Sequence, residues 1–280
     1  MNREEKITPC LWFNGKADEA ADLYCATLAD TKIMARSPYV VEISASGHRI
    51  TLLDGGPKYQ PNASISFYYI CETEKEFDII WQSFNKEGNI LVPTGKYPWS
   101  DKYGWVNDKY GVSWQVALGT VADVGQKITP CLAFTGKQFG RADEALNFYS
   151  SVFKLSQINA ILYDVQNEKL VQHAQFSLME QKFMVMDNEY AQNIEFSEGV
   201  SLTIHCESQD EIDYFWNSFT EEGEESMCGW LKDKFGVSWQ ILPDILDSIM
   251  NDPAKAGKAA EAFMMMRKLN IEQIIHATLK

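Results

Sequence analysis

The amino-acid sequence predicts an α+β protein in which one unit occurs twice, each copy consisting of two βαβββ modules. Two pairs of segments show the duplication: GWVNDKYGVSWQ at 104–115 returns as GWLKDKFGVSWQ at 229–240, and KITPCLWFNGKADEA at 6–20 returns as KITPCLAFTGKQFGRADEA at 127–145. Each copy spans about 120 residues, which is long enough to bury a core of its own. We therefore predict a first domain over 1–121, a second over 127–245 and a helical tail over 246–280.

The first module of each copy opens with an apolar run, at 6–13 and 127–134, that has the composition of a short strand. Strand-like segments close the module: VVEIS and HRITLLD in copy one, HAQFSLM and KFMVMD in copy two. Between them, apolar residues recur at helical spacing in both copies: Ala17, Ala20, Ala21, Tyr24 and Leu28, matched by Ala142, Ala145, Leu146, Tyr149 and Phe153.

The second module of each copy begins with another strand-like run, SISFYYIC at 64–71 in copy one. A capping box follows, Thr73 with Glu76 and Ser208 with Glu211, and predicts the start of a helix. The module closes with the duplicated hairpin, in which we expect Asp108 to serve the turn. Between helix and hairpin, copy one has fifteen residues (89–103) where copy two has five (224–228), so the two pockets must differ.

Charge and composition limit the partners. The chain has 25 basic and 39 acidic residues, and a net charge of −14 predicts no binding to nucleic acid or to an anionic membrane surface. The amino terminus has no apolar signal core, and no apolar run is long enough to span a membrane. Six cysteines without a CxxC pair indicate reduced thiols, so we expect a cytoplasmic protein.

The opening segment at 7–24, the hairpin HAQFSLMEQKFMVMD, the closing strands DKYGVSWQV and DKFGVSWQI, and the tail segment DPAKAGKAAEAFMMMRKLNIEQI together resemble one known family. These segments look like PhnB-like, 3-demethylubiquinone-9 3-methyltransferase-type domains of the glyoxalase/bleomycin-resistance/dioxygenase (vicinal oxygen chelate) superfamily, in tandem form. The resemblance implies tandem glyoxalase-like domains, each with two βαβββ modules forming a curved mixed sheet around a cavity. It also implies an intrachain pseudo-dimer, with a further homodimer left open.

The same resemblance implies a divalent metal held by His, Gln and Glu side chains, with a Glu from the closing strand. Gln115 and Gln240 stand at that Glu position, and a neutral amide oxygen is a poorer ligand for a hard cation. The opening strands offer no His in either copy. We therefore predict no metal in domain 1, and we name His173, His205 and Gln240 as the candidate ligands for a divalent metal in domain 2.

The residues predicted to bind a ligand belong to the duplicated hairpin. Tryptophans alternate there with other residues, so some of them can face a cavity and stack on a planar molecule, whereas core packing is the alternative. The predicted ligand-binding set is Trp105, Trp114, Gln115, Trp230, Trp239 and Gln240. Catalytic residues are not assigned.

Three hypotheses about function follow. The favoured one is an uncharacterised protein of this superfamily that binds a small molecule in a metal-poor cavity. The second is a metal-dependent lyase, isomerase, dioxygenase or thiol transferase with domain 2 active, and the third is a non-catalytic structural or interaction protein. Methyl transfer is not expected, because the sequence has no glycine-rich turn of the kind that opens a nucleotide-binding helix.

Overall fold

The computed structural model describes residues 5–189 and 194–279. The first copy forms β1 (Ile7–Phe13), α1 (Ala17–Thr27), β2 (Thr31–Arg36), β3 (Val40–Ala45) and β4 (His48–Asp54), then β5 (Ile65–Cys71), α2 (Glu74–Asn85), β6 (Asn89–Tyr97), β7 (Ser100–Asn107) and β8 (Ser113–Leu118). A short helix, α3 (Val121–Val124), follows. Both modules of copy one therefore have the predicted βαβββ order.

The second copy repeats this order. It forms β9 (Ile128–Phe134), a 3-10 turn (Gly136–Gln138), α4 (Ala142–Val152), β10 (Gln157–Tyr163), β11 (Val171–Leu178) and β12 (Gln181–Asp187), then β13 (Val200–Cys206), α5 (Gln209–Thr220), β14 (Glu224–Glu225), β15 (Trp230–Lys232) and β16 (Ser238–Pro243). The tail contains α6 (Ile245–Met250), α7 (Ala256–Phe263) and α8 (Ile271–Leu279). No helix in the described part of the chain has the length and apolar character needed to cross a membrane.

The described chain divides into two compact units. Unit 1 comprises 5–8 and 201–279, and unit 2 comprises 9–189 and 194–200. These units reflect spatial contacts and cut across the two sequence copies, so the predicted boundaries at 1–121, 127–245 and 246–280 stay a prediction.

Unit 2 contains an eight-stranded mixed sheet in the order β10-β11-β12-β9-β5-β8-β7-β6. At its centre, β5 of copy one runs antiparallel to β9 of copy two, with Phe67 opposite Pro130. The second module of copy one thus shares a sheet with the first module of copy two. Unit 2 also contains the strand run β1-β4-β3-β2, in which β1 is parallel to β4. Unit 1 contains β14-β15-β16-β13. The predicted α+β class with mixed sheets is confirmed.

The capping boxes are confirmed at α2 and α5. The Thr73 hydroxyl accepts the Glu76 N–H at 3.2 Å, and the Ser208 hydroxyl accepts the Glu211 N–H at 3.3 Å. In a standard capping box the Glu side chain accepts the N–H of the capping residue itself. Here it accepts the N–H of the residue before the cap, as Glu76 does from Glu72 at 3.0 Å. Such caps contribute about 1 kcal/mol each to helix stability.

The helices α2 and α5 cover one face of their sheets. Phe84 of α2 stacks on Trp114 of β8 at 4.7 Å between ring centroids, and Phe219 of α5 stacks on Trp239 of β16 at the same distance. Successive strand residues point to opposite faces, so the next residue in each strand, a glutamine, points away from the covering helix. We call this opposite side the glutamine face of each unit.

Candidate functional site

The glutamine face of unit 2 is centred on Gln115 of β8. The Tyr103 hydroxyl donates to Gln115 Oε1 at 2.7 Å, and Gln115 Nε2 donates to the Ser66 hydroxyl at 2.9 Å. Both ends of the amide are held, and Gln115 is only 2% exposed. This amide is therefore committed to partners from its own chain.

Aromatic side chains of copy one fill the space around Gln115. Tyr103 and Trp105 are 4% and 6% exposed, and the partly buried Tyr68 and Tyr97 pack against them. The Tyr68 and Tyr103 rings are stacked with their centroids 6.3 Å apart. The Trp105 indole N–H donates to the Ser113 hydroxyl at 2.7 Å. Copy one thus supplies the aromatic part of its glutamine face, and Met186 and Ile194 of copy two pack against the same cluster.

The glutamine face of unit 1 is built on the same frame around Gln240 of β16. Gln240 Nε2 donates to the Ser201 hydroxyl at 3.0 Å, as Gln115 does to its serine. Trp230 is paired across the hairpin with Gln240, as Trp105 is with Gln115, but Trp230 is half-buried. The two copies therefore present the same amide and the same indole at equivalent positions.

The surroundings of Gln240 differ from those of Gln115. Among the described residues, none donates a hydrogen bond to Gln240 Oε1, although Gln240 is only 7% exposed. By repeat alignment, Cys228 stands where copy one has Tyr103. The Cys228 N–H donates to the Met266 carbonyl at 2.7 Å, and its thiol donates to the Met264 carbonyl at 3.8 Å. The tail thus holds the residue that replaces the tyrosine.

Two further exchanges separate the copies. Thr203 stands where copy one has Tyr68, and each is in register with the glutamine of the neighbouring strand. Ser238 stands where copy one has Ser113, and its hydroxyl oxygen is buried without a hydrogen-bond partner in the described part of the chain. A buried polar group left without a partner costs roughly 1–3 kcal/mol, so such groups call for an explanation.

The predicted tryptophans separate into two groups. Trp114 and Trp239 lie in the core under α2 and α5, and their indole N–H groups donate to Asp108 at 3.1 Å and to Asp233 at 2.9 Å. Trp105 and Trp230 lie beside the glutamines. The structure therefore places Trp230 and Gln240 together in unit 1, and Trp105 and Gln115 together in unit 2. A ligand contact by any of the six stays a prediction.

The predicted metal ligands fall in different units: His173 lies on β11 of unit 2, and His205 and Gln240 lie in unit 1. His205 Nε2 is 2.9 Å from the Thr8 hydroxyl, and its Nδ1 is 3.9 Å from an Asp244 oxygen. Across 5–189 and 194–279, no three His, Cys, Asp or Glu side chains are grouped to hold a metal ion.

These donors do not fit a divalent metal site of the kind the resemblance implies. In unit 1, Gln240 supplies only one neutral oxygen. Nε2 of His205 lies within hydrogen-bond distance of the Thr8 hydroxyl. In unit 2, the amide of Gln115 is held at both ends. Hard cations prefer several carboxylate oxygens. A divalent metal in domain 2 stays a prediction.

Cys131 lies on the glutamine face of unit 2 but is not an activated nucleophile. Burial raises the pKa of its thiol to about 12, and the hydrogen bonds from Gln115 and Ser66 lower it only in part. A thiol with such a pKa is protonated at neutral pH, and the thiolate is the reactive form. The face of unit 2 therefore has a polar and aromatic character without a reactive thiolate.

His173 supplies a prediction about pH. Burial lowers the pKa of His173, because the charged ring would lose its hydration. The unfolded chain then binds more protons than the folded chain as pH falls through about 6.5, so we expect the free energy of unfolding to fall over that range. Urea titrations between about pH 7.5 and 5.5 should show a shallower fall for His173→Gln than for the wild type. An equal slope for the wild type and His173→Gln would contradict the prediction.

The comparisons with known proteins agree with this fold. The sequence model of the family described as 3-demethylubiquinone-9 3-methyltransferase matches residues 5–117 and 126–242, so it matches both copies. The chain belongs to this PhnB-like family. The predicted family is therefore confirmed. The search of curated proteins found no match.

Among solved structures, glyoxalase I from Zea mays is similar over 88% of this chain and 95% of its own, with 12% identity and a TM-score of 0.61. A point mutant of the same maize enzyme is similar over 86% and 93%, with 14% identity and a TM-score of 0.61. A PhnB protein from Bacillus cereus, described as a 3-demethylubiquinone-9 3-methyltransferase, is 33% identical over 41% of this chain and 100% of its own, with a TM-score of 0.39. The maize structures confirm the tandem glyoxalase-like fold and nothing beyond it.

Proposed function

We propose that this chain binds a small molecule on the glutamine face of unit 1, with Gln240 and Trp230 as contact residues. The observation that carries the proposal is Oε1 of Gln240, which accepts no hydrogen bond from the described residues, whereas its counterpart in copy one accepts one from Tyr103. A ligand that donates a hydrogen bond at this atom would make the contact that the Tyr103 hydroxyl makes in copy one.

The exchanges around Gln240 support a ligand of some size. Two tyrosines of copy one correspond to Thr203 and Cys228, which are smaller. The half-buried indole of Trp230 supplies an apolar surface beside the acceptor, and small-molecule sites combine such surfaces with a few placed polar groups. Binding alone requires none of the candidate metal ligands. We do not extend the proposal to methyl transfer, because the sequence has no glycine-rich turn for a nucleotide.

We also propose an intrachain pseudo-dimer, a cytoplasmic location and the absence of nucleic-acid partners. Pairing of β5 with β9 joins the two copies within one sheet, which supports an intrachain pseudo-dimer. The six cysteines, all within the described part of the chain, form no disulfide, which supports a cytoplasmic location, and the net charge of −14 supports the absence of nucleic-acid partners. A homodimer of the whole chain stays a prediction.

A fragment screen by saturation-transfer NMR on the full chain tests the site. Thr203→Tyr restores the residue that copy one has at this position, and we expect it to weaken binding of the site's fragments at least about tenfold by filling the space beside Gln240. Thr203→Val is the matched control that keeps the space, and it should bind the same fragments. Absence of any bound fragment would contradict the function, and fragments indifferent to Thr203→Tyr would contradict the site.

A further inference from the structure

We infer that the ligand of unit 1 carries a hydroxylated aromatic ring, a phenol, that takes beside Gln240 the place that the Tyr103 side chain takes beside Gln115. This inference rests on the proposed function and names the chemical class of the ligand. The duplication allows a direct comparison, because copy one holds the Tyr103 side chain against its glutamine and copy two has Cys228 at that position.

Copy one shows how the frame holds a phenol. The Tyr103 hydroxyl donates to Gln115 Oε1 at 2.7 Å, and the ring is 4% exposed. Its ring stacks on Tyr68 at 6.3 Å and meets the edge of Tyr97 at 5.4 Å with an interplanar angle of 76°. Tyr103 is therefore a phenol bound within its own chain, with the amide oxygen as the acceptor and aromatic walls around the ring.

Copy two keeps the acceptor in the same orientation. Gln240 Nε2 is committed to Ser201 at 3.0 Å, as Gln115 Nε2 is committed to Ser66 at 2.9 Å. The atom left for a ligand is consequently Oε1, which can only accept. The ligand must therefore donate, as a hydroxyl does.

Copy two lacks the tyrosine that lies beside the glutamine in copy one. Cys228 replaces Tyr103, and its N–H and thiol both bind carbonyl groups of the tail. Thr203 replaces Tyr68, so the wall next to the ring is also smaller. Ser238, the counterpart of the serine that binds Trp105, has a buried hydroxyl without a partner in the described chain.

The test uses a matched pair of probes, 4-methylphenol and 4-methylanisole. The first is the side chain of tyrosine, and the second has the same ring without a donor. Titration calorimetry on the full chain should show 4-methylphenol binding about tenfold more tightly, which corresponds to about 1.4 kcal/mol for the added hydrogen bond. Equal affinity for the two probes would overturn the inference.

Variants of the two glutamines locate the contact. Gln240→Leu should weaken 4-methylphenol about tenfold and remove the preference over 4-methylanisole. Gln240→Glu keeps an acceptor and should keep the preference, which shows that a loss in Gln240→Leu is not a loss of the fold. A loss of preference in Gln115→Leu and not in Gln240→Leu would overturn the inference. If fragments sensitive to Thr203→Tyr bind but 4-methylphenol does not, the inference fails while the proposed function stands.

Discussion

Asp108→Ala is expected to lower the free energy of unfolding by about 3–5 kcal/mol, because it removes a buried carboxylate that accepts four hydrogen bonds. One oxygen accepts the N–H groups of Tyr110 at 2.9 Å and Val112 at 3.1 Å. The other accepts the Tyr24 hydroxyl at 2.8 Å and the Trp114 indole at 3.1 Å. The loss leaves two fully buried aromatic donors without an acceptor, in addition to an open turn.

Urea titration of the full chain measures this effect. Asp123→Ala is the matched control, because Asp123 is exposed and its loss should change the free energy of unfolding by less than about 0.5 kcal/mol. A loss below about 1 kcal/mol for Asp108→Ala would contradict the role of the carboxylate as the centre of this packing. The predicted turn role of Asp108 is confirmed by its two backbone hydrogen bonds, and Asp233 makes the equivalent bonds to Phe235 and Val237.

Tyr103→Ala is expected to lower the free energy of unfolding by about 3–5 kcal/mol and to create a ring-sized opening beside Gln115 in unit 2. The variant removes a ring that is 4% exposed and leaves Gln115 Oε1 without its donor. The resulting ring-sized cavity should bind 4-methylphenol. At a free ligand concentration of about 100 times Kd, binding would restore roughly 2.7 kcal/mol of the loss.

The comparison that checks this prediction is the gain in unfolding free energy on adding 4-methylphenol. Tyr103→Phe is the matched control, because it loses about 1 kcal/mol with the hydroxyl but leaves no cavity. We expect the gain for Tyr103→Ala to exceed that of the wild type, and the gain for Tyr103→Phe to equal it. An equal gain in all three proteins would contradict the view that Tyr103 occupies a phenol site.

Local patterns in the sequence are sufficient to predict the order of strands and helices in each module. Each βαβββ order followed from apolar periodicity, and the capping boxes at Thr73 and Ser208 set the starts of α2 and α5. The pairing of modules was not predictable in the same way. The strands that open the modules have similar apolar sequences, so local pattern does not decide that β5 joins β9 of the other copy.

The site was predictable only in part, for a physical reason. Strands β8 and β16 are buried on both faces, so their sequences show no alternation that would tell the core side from the ligand side. The predicted ligand-binding set therefore includes the core residues Trp114 and Trp239 together with Trp105 and Trp230. It also missed the serines and Tyr103, which hold the glutamines. The signal that could reveal Tyr103 is the longer segment at 89–103 of copy one. This segment ends at Tyr103, whose hydroxyl binds Gln115.

We propose that copy two can bind a phenol where the Tyr103 side chain lies in copy one. A crystal structure of the full chain with 4-methylphenol is the decisive experiment. We expect one ring beside Trp230, its hydroxyl oxygen within about 3 Å of Gln240 Oε1, and no ring beside Gln115. A ring beside Gln115, or a Gln240 amide and Ser238 hydroxyl both occupied by side chains of the protein itself, would contradict it.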